Sequence, residues 1–199
     1  MGNPKNKTIG IVGGGQLGRM TILEARKMDI RVIVLTPEHP SPASDIADDY
    51  IIGSLYDEDK IRELASKCDI LTYEIEHINV AVLEEIEKSG KIVNPSAKVL
   101  KVIQDKSKQK ALLQANNLPT SNWDYINNDN LKDMINKYGY PVVQKSCTGG
   151  YDGKGVFVLK SEADIPNMIK VESFFEEYVP FEKEIAIMVA RNARGQVKT

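Results

Sequence analysis

The 199-residue chain carries 26 lysine and arginine residues and 28 aspartate and glutamate residues, for a formal net charge of −2. This near balance gives no electrostatic reason to expect a nucleic-acid partner, and the length allows one large or two small domains. Cys68 and Cys147 lie far apart without metal-ligand spacing, which excludes a disulfide framework or zinc site and fits a reducing compartment. A short polar start and the lack of a long apolar span predict a cytoplasmic protein without a membrane partner.

The first elements form a βαβ unit around a glycine-rich turn. Apolar runs at residues 8–12 and 31–35 predict two buried strands. Gly13, Gly15 and Gly18 follow the first strand with the spacing G-x-G-x-x-G. The helical period over residues 17–28 predicts an inner face that consists of Leu17, Met20, Leu23 and Met28.

The glycine spacing alone is typical of dinucleotide binding and would fit a nicotinamide- or flavin-dependent oxidoreductase. The acid that such a site needs after the second strand is missing, because Thr36 and Pro37 stand there and Glu38 comes later. A glycine-rich first turn also serves any α/β domain that brings a helix N-terminus near an anion. Both interpretations stay open on this motif.

Strands and helices continue to alternate through the rest of this half, at residues 50–52, 58–67, 69–73, 80–88 and 91–93. With Asp57 and Asn79 as helix N-caps, the pattern predicts a parallel α/β domain over residues 1–96. Glu74 and Glu76 follow one strand, where ligands of such sheets bind. They are therefore candidates for a substrate site, and the alternative is that both are solvated loop carboxylates. His39, in a proline-rich loop, is interpreted as a solvated histidine without a catalytic role.

The second half, residues 97–199, has a different pattern. Residues 97–116 predict one basic helix whose lysines are mostly solvated surface. Strands are predicted at 121–126, around Lys145, at 156–160, 171–179 and 184–191, with helices at 129–138 and 163–170. A hairpin turn at 192–195 leads into a strand that has no room to finish. The pattern predicts an α+β domain that is incomplete at Thr199.

The most informative stretch lies between two apolar, strand-like runs, the first of which leads to Lys145. Four glycines in seven residues surround a phenol, a carboxylate and an amine: Gly149, Gly150, Tyr151, Asp152, Gly153, Lys154 and Gly155. Glycines allow close approach of the backbone, and exposed amides with lysines attract anions. The stretch predicts a β-hairpin flap that closes over phosphates. The alternative, a plain hairpin turn, needs only one or two glycines.

Together these motifs resemble the N5-carboxyaminoimidazole ribonucleotide synthetases, a family of ATP-grasp ligases. The resemblance rests on segments 13–20, 72–76, 105–106 with Lys110, Lys145, 148–155 and 176–179 with Glu184. It implies an α/β architecture in which a Rossmann-like, biotin-carboxylase-like pre-ATP-grasp domain spans residues 1–96. The first, truncated part of an α+β ATP-grasp domain then spans residues 97–199.

The resemblance also implies a reaction. ATP phosphorylates bicarbonate to carboxyphosphate, which carboxylates the exocyclic amine of 5-aminoimidazole ribonucleotide in purine biosynthesis. Its implied small-molecule partners are ATP, bicarbonate and that ribonucleotide, and its implied assembly is a homodimer in the cytoplasm.

Site residues follow from the same resemblance. The positions that match ATP-binding residues are Lys106, Lys145, Gly150, Tyr151, Asp152, Gly153, Lys154, Gly155, Val156, Glu176, Glu177, Tyr178, Val179 and Glu184. The positions that match the aminoimidazole side are Gln16, Glu74 and Glu76. Tyr151, Asp152 and Lys154 are the implied catalytic residues, with Asp152 handling the proton that the attacking amine loses. Lys106 stands where many relatives have arginine, so it keeps the charge but loses the bidentate fork.

This chain departs from the family pattern in its metal ligands. ATP-grasp enzymes hold Mg²⁺ with residues that would come after Thr199, so we expect no metal ligands in this chain. We therefore expect the amino-terminal part of a longer enzyme, without substantial synthetase activity alone. A different ATP-grasp ligase and a non-catalytic nucleotide-binding module remain the alternatives, beside the oxidoreductase considered above.

Overall fold

The structure is a computed structural model that describes residues 7–150, 155–192 and 194–199. Its first sheet contains β1 (Thr8–Val12), β2 (Arg31–Thr36), β3 (Asp49–Ile52), β4 (Ile70–Tyr73) and β5 (Ile92–Val93). All neighbouring strands are parallel, in the order β3-β2-β1-β4-β5. The predicted parallel α/β domain is confirmed, whereas the predicted division of the chain after residue 96 stays a prediction.

Three crossover helices cover this sheet: α1 (Gln16–Lys27), α2 (Glu58–Lys67) and α3 (Val80–Lys88). The predicted caps are confirmed, since the Asp57 carboxylate accepts from the Lys60 amide at 3.1 Å and the Asn79 side-chain oxygen accepts from the Ala81 amide at 3.1 Å. None of the helices in the described ranges has the length and apolar composition needed to cross a bilayer.

Apolar residues fill both faces of the sheet. On one face Ile11 and Val34 pack with Ile22 of α1. On the other face, α2, α3 and the next helix, α4 (Ala97–Ile103), contribute the larger of the two clusters. The central strands β1 and β2 are therefore largely buried on both sides, as near-continuous apolar runs in a parallel sheet require.

The predicted inner face of α1 is wrong. Leu17, Met20, Leu23 and Met28 are between 45% and 61% exposed. Gly18, Ile22 and Ala25 are buried in their place. A Cβ atom on Gly18 would lie 3.2 Å from the Cβ of Ala43, so small residues allow this helix to approach its neighbours closely. Hydrophobicity alone selected the wrong face because the close approach depends on small side chains.

The second sheet is antiparallel. Its strands are β6 (Trp123–Ile126), β7 (Val142–Ser146), β8 (Val156–Leu159) and β9 (Ser173–Glu177), in the order β6-β9-β7-β8. On one face Phe175, Val142 and Leu159 pack against α6 (Leu131–Tyr138) and a 3₁₀ helix (Glu162–Asn167). A short hairpin of β10 (Ala190–Arg191) and β11 (Val197–Lys198) follows. The predicted α+β character of this half is confirmed.

The single basic helix predicted over residues 97–116 is wrong. It is divided into α4 and α5 (Lys106–Ala115) at Asp105. The Asp105 carboxylate caps α5 by accepting from the Ser107 amide at 3.0 Å. The Lys106 amide donates to the carbonyl of Cys147 at 2.8 Å instead of continuing a helix. This contact joins the start of α5 to the end of β7, which the helical period could not indicate.

Two further predicted elements are corrected. The helix predicted at 163–170 is the 3₁₀ helix, which contains Pro166, a residue without the N–H that a helix interior requires. The strand predicted at 184–191 is limited to Ala190–Arg191. Ile185 and Met188 are 81% and 90% exposed, and within the described residues no strand lies beside 184–189. An alternating pattern forms a strand only where a neighbour completes its hydrogen bonds.

Candidate functional site

The glycine-rich turn after β1 is organised by a carboxylate from another strand. Glu74 follows β4, and its two carboxylate oxygens accept from the amides of Gly15 and Gly18 at the start of α1. These amides have no partner within the helix, and they lie at the positive end of the helix dipole, which favours a negative charge. An internal carboxylate therefore occupies the anion-binding position of this turn.

This contact accounts for the glycine spacing. A Cβ atom on Gly13 would collide with the Glu74 side chain, and one on Gly15 would lie 2.9 Å from a carboxylate oxygen. A Cβ on Gly18 would lie 3.2 Å from the other oxygen. The three glycines make room for Glu74, and the amides that would bind a dinucleotide pyrophosphate already have a partner. The oxidoreductase interpretation of this motif loses its support.

The other predicted substrate residues lie nearby but differ in their contacts. Gln16 is the first residue of α1 and is exposed. The Glu76 carboxylate lies 3.4 Å from Nε2 of His77. The backbone carbonyl of Glu76 accepts from the Gln104 side-chain amide at 2.7 Å. Gln104 thus holds the loop after β4 against the end of α4, a role that no sequence pattern indicated.

A lysine-rich cavity of about 420 Å³ lies between α5 and the second sheet. Residues that line it include Lys106, Lys110, Ser121, Lys145, Phe174 and Glu176. The structure therefore brings together Lys106, Lys145 and Glu176, which sequence analysis had placed at an ATP site, and adds Lys110. The Lys106 ammonium donates to the carbonyl of Gly150 at 2.8 Å, which connects the cavity to the glycine flap.

Glu176 is the buried negative charge of this cavity. Its Oε2 lies 2.8 Å from Nζ of Lys110, and its Oε1 forms an ion pair with Lys145. Burial alone would raise the pKa of Glu176, but hydrogen bonds from both ammonium groups outweigh it and hold that pKa below its ordinary value. Glu176 is therefore ionised at neutral pH, and the cavity has a net positive charge.

The flap connects β7 to β8, as predicted. Gly155 has a φ of 81°, and a Cβ there would collide with Oγ of Ser146 and lie 3.0 Å from the Cα of Gly150. Tyr151, Asp152, Gly153 and Lys154 lie outside the described residues. Val156, at the end of the flap, begins β8. Glycine is thus required at position 155 by both backbone conformation and space.

The predicted ATP-binding residues Glu176 to Val179 lie at the end of β9 and directly after it. The Glu177 amide donates to the carbonyl of Asn122 at 2.9 Å, and the Glu177 carboxylate accepts from the Asn122 side chain at 3.0 Å. Tyr178, Val179 and Glu184 are exposed. Within the described ranges, no group of three or more His, Cys, Asp or Glu side chains is arranged to hold a metal ion.

Residues 6–104 match the family described as the ribonucleotide synthetase pre-ATP-grasp domain, and residues 111–199 match the ATP-grasp domain. The chain is 40% identical to phosphoribosylaminoimidazole carboxylase of Ogataea methanolica over 96% of this chain and 37% of that protein. The structure of N5-carboxyaminoimidazole ribonucleotide synthetase from Thermotoga maritima superposes with a TM-score of 0.88 at 43% identity, over 96% of this chain and 51% of that one.

N5-carboxyaminoimidazole synthase from Aspergillus clavatus, solved with ADP and 5-aminoimidazole ribonucleotide, superposes with a TM-score of 0.80 at 31% identity. That superposition covers 88% of this chain and 47% of the Aspergillus chain. The chain thus spans about a third to a half of the length of these relatives. On the two domain matches, which together cover nearly the whole chain, its first half belongs to the ribonucleotide synthetase pre-ATP-grasp domain family and its second half to the ATP-grasp domain family.

Proposed function

We propose that this chain contributes to an ATP-dependent carbon–nitrogen ligase that carboxylates 5-aminoimidazole ribonucleotide with bicarbonate. The product is N5-carboxyaminoimidazole ribonucleotide, an intermediate of purine biosynthesis, and carboxyphosphate is the reactive intermediate. The observation that carries the proposal is the lysine-lined cavity beside a glycine flap, with Lys106 and Lys145 facing the same space. Phosphoryl transfer depends mainly on positioning and on neutralising phosphate charge, which lysine ammonium groups supply.

In this proposal ATP occupies the cavity with its phosphates toward Lys106, Lys145 and the flap. The flap, from Gly150 through Tyr151, Asp152, Gly153, Lys154 and Gly155 to Val156, excludes water. Carboxyphosphate hydrolyses readily, so exclusion of water during transfer is a chemical requirement. Asp152 takes the proton from the attacking amine, and Tyr151 and Lys154 contact the nucleotide or carboxyphosphate.

The end of β9 and the residues that follow it complete the proposed nucleotide site. Backbone groups of residues 176–179 contact the adenine edge, and Glu184 accepts from the ribose hydroxyls. The Glu177 amide already donates to the Asn122 carbonyl and the Val179 carbonyl already accepts from the Phe181 amide, so we expect adenine to contact the other backbone groups of this segment. On the aminoimidazole side we place Gln16, Glu74 and Glu76, at the carboxyl ends of β1 and β4.

Mg²⁺ accompanies ATP in this reaction class and neutralises phosphate charge when bound. The described residues do not fit it, because they hold no cluster of three ligands and the Glu176 carboxylate is already paired with two lysines. The work of the chain itself is to bind the phosphates through lysines and to position the acceptor.

We further propose that the protein is cytoplasmic, because a reducing compartment suits two buried free cysteines. We also propose that it forms a homodimer. The exposed apolar side of α1, with Leu17, Met20 and Met28, is the surface best suited to a second copy. Light scattering should give twice the mass of 22.2 kDa, and Met20→Glu should return the protein to that single mass. A monomeric wild-type chain would refute the dimer.

The function is tested by phosphate release from Mg-ATP with bicarbonate, with and without 5-aminoimidazole ribonucleotide, on this chain and on the longest natural form of the protein. We expect release by the long form that rises with the ribonucleotide, and nucleotide binding by this chain that Lys145→Met weakens. Lys101→Met, which removes an exposed lysine paired with Glu84, is the matched control. No stimulated release by the long form would refute the proposed substrate.

A further inference from the structure

The ion pairs around Glu176 involve two lysines that differ in burial and in their other contacts. Lys110 is nearly buried, with 13% of its side chain exposed, whereas 30% of the Lys145 side chain is exposed. The Lys110 ammonium also donates to the Thr120 hydroxyl at 2.8 Å. It donates to two atoms of Ser121 as well, the hydroxyl oxygen and, at 3.2 Å, the backbone carbonyl. An ammonium has three N–H donors, so Lys110 is fully engaged by groups that surround it.

Lys145 differs because the described residues offer it one ion-pair partner, the Glu176 carboxylate. Its side chain lines the cavity in which we propose that the phosphates bind, and 30% of it is exposed. Lysine is a mobile point charge on a flexible stem, so it can exchange one anion for another. The geometry is that of a held cation, Lys110, and an exchangeable cation, Lys145, on one shared carboxylate.

We propose that Lys110 is a positioning residue that stays paired with Glu176, so that Lys145 can leave this carboxylate for the phosphates of a bound nucleotide. The inference rests on the proposed function, since it assigns the nucleotide as the anion that Lys145 moves to. Lys110 itself does not contact the nucleotide. Ser121 assists by donating from its hydroxyl to Oε2 of Glu176 at 3.1 Å.

The physical reason is the cost of an unpaired buried charge. Only 9% of the Glu176 side chain is exposed, so if Lys110 were absent, departure of Lys145 would leave a buried carboxylate without a counter-charge. Lys106 is directed to the carbonyl of Gly150, and the ion pairs of Glu176 within the described residues are with Lys110 and Lys145. With Lys110 in place, one positive charge remains on Glu176 after Lys145 has moved. Without Lys110, Lys145 is retained by Glu176 and the nucleotide loses its cation.

The test measures ADP and adenosine binding to the full chain by calorimetry for wild type, Lys110→Met, Glu176→Gln and the double variant. Lys110→Met should weaken ADP binding by at least about tenfold, as expected when one partner of a buried charge cluster is removed. Adenosine, which has no phosphate, should bind wild type and Lys110→Met equally. Adding Glu176→Gln to Lys110→Met should restore ADP binding, because the carboxylate that retains Lys145 is gone. Lys110→Arg should retain binding, and Lys101→Met serves as the control.

The outcomes separate this inference from the proposed function. ADP binding by Lys110→Met within about twofold of wild type, or a double variant as weak as Lys110→Met, overturns the inference while the proposed function stands. If wild type binds no nucleotide, the proposed nucleotide site is refuted and the transfer of Lys145 with it. NMR titration of the carboxyl groups then tests whether Lys110 is the counter-cation of Glu176. If it is, Lys110→Met raises the pKa of Glu176; an unchanged pKa refutes that role. Circular dichroism melting verifies that each variant is folded.

Discussion

The contact between Glu74 and the glycine turn gives the most direct test of the fold around the proposed substrate site. Replacing Glu74 by alanine removes both acceptors of the Gly15 and Gly18 amides and exposes the start of α1 without a counter-charge. Glu74→Gln keeps one carbonyl oxygen, so it preserves one of the two hydrogen bonds. Both variants leave the glycines in place, which isolates the role of the carboxylate.

The magnitude follows from two hydrogen bonds to a charged group. Each contributes about 1.5–3 kcal/mol, and the lower end applies because Glu74 is only half-buried, so the alanine variant should lose about 3 kcal/mol. For a chain of this length, 1 kcal/mol lowers Tm by about 2–4 °C, which gives a drop of about 6–12 °C. Glu74→Gln should show about half that change, since one acceptor of the two remains.

Scanning calorimetry measures the change in Tm for the unfolding transition of the parallel α/β half, with Glu76→Ala as the matched control. Glu76 lies two residues further on, and its carboxylate approaches His77 without contacting the glycine turn. The control should lose less than about 1 kcal/mol, as expected for a partly exposed loop carboxylate. A Tm of Glu74→Ala within about 2 °C of wild type would refute the reasoning, as would an equal loss in Glu76→Ala.

Three further predictions concern the packing of the second sheet, one helix cap and the buried charge. Phe175→Ala should lower the free energy of unfolding by about 3–5 kcal/mol in urea titrations, because Phe175 is fully buried in the second sheet; a loss below about 1 kcal/mol would contradict this packing. Asp57→Ala should cost about 1 kcal/mol by removing the acceptor of the Lys60 amide, and Asp57→Asn should recover most of it in thermal melts. Because the folded pKa of Glu176 lies below its unfolded value, the unfolded state binds more protons in acid. Stability should therefore fall as the pH drops from the ordinary glutamate range through the folded pKa, and Glu176→Gln should reduce this slope.

The features predicted correctly from the sequence depend on neighbours along the chain. Asp57 and Asn79 cap the helices that follow them, since a cap needs only an acceptor and the next two or three amides. The hairpin of β7 and β8 was also predicted, because glycines between two apolar runs indicate a turn, whereas closure of a flap over phosphates stays a prediction. Gly155 confirms that part of the pattern through its positive φ.

The errors share one physical cause. Leu17 and Met20 matched an inner helix face, but packing selected the small residues on the other side of α1. The predicted helix is interrupted at Asp105 because the Lys106 amide donates to the carbonyl of Cys147, directly after β7. This is a contact between segments that are distant in sequence. Gln104 was missed for the same reason, since its role depends on carbonyls of the loop after β4. Helical period contains no information about such partners.

By itself the sequence determined the alternation of strands and helices, the two helix caps and the hairpin of β7 and β8. Each of these depends on residue type and short spacing. Only the tertiary structure decided what the glycine spacing is for, because Glu74 reaches the Gly15 amide across 59 positions of the chain. It also decided that Lys110 and Lys145 share Glu176, which brings α5, β7 and β9 to one buried carboxylate. Such contacts form only when the two sheets and their helices pack, so no local pattern could contain them.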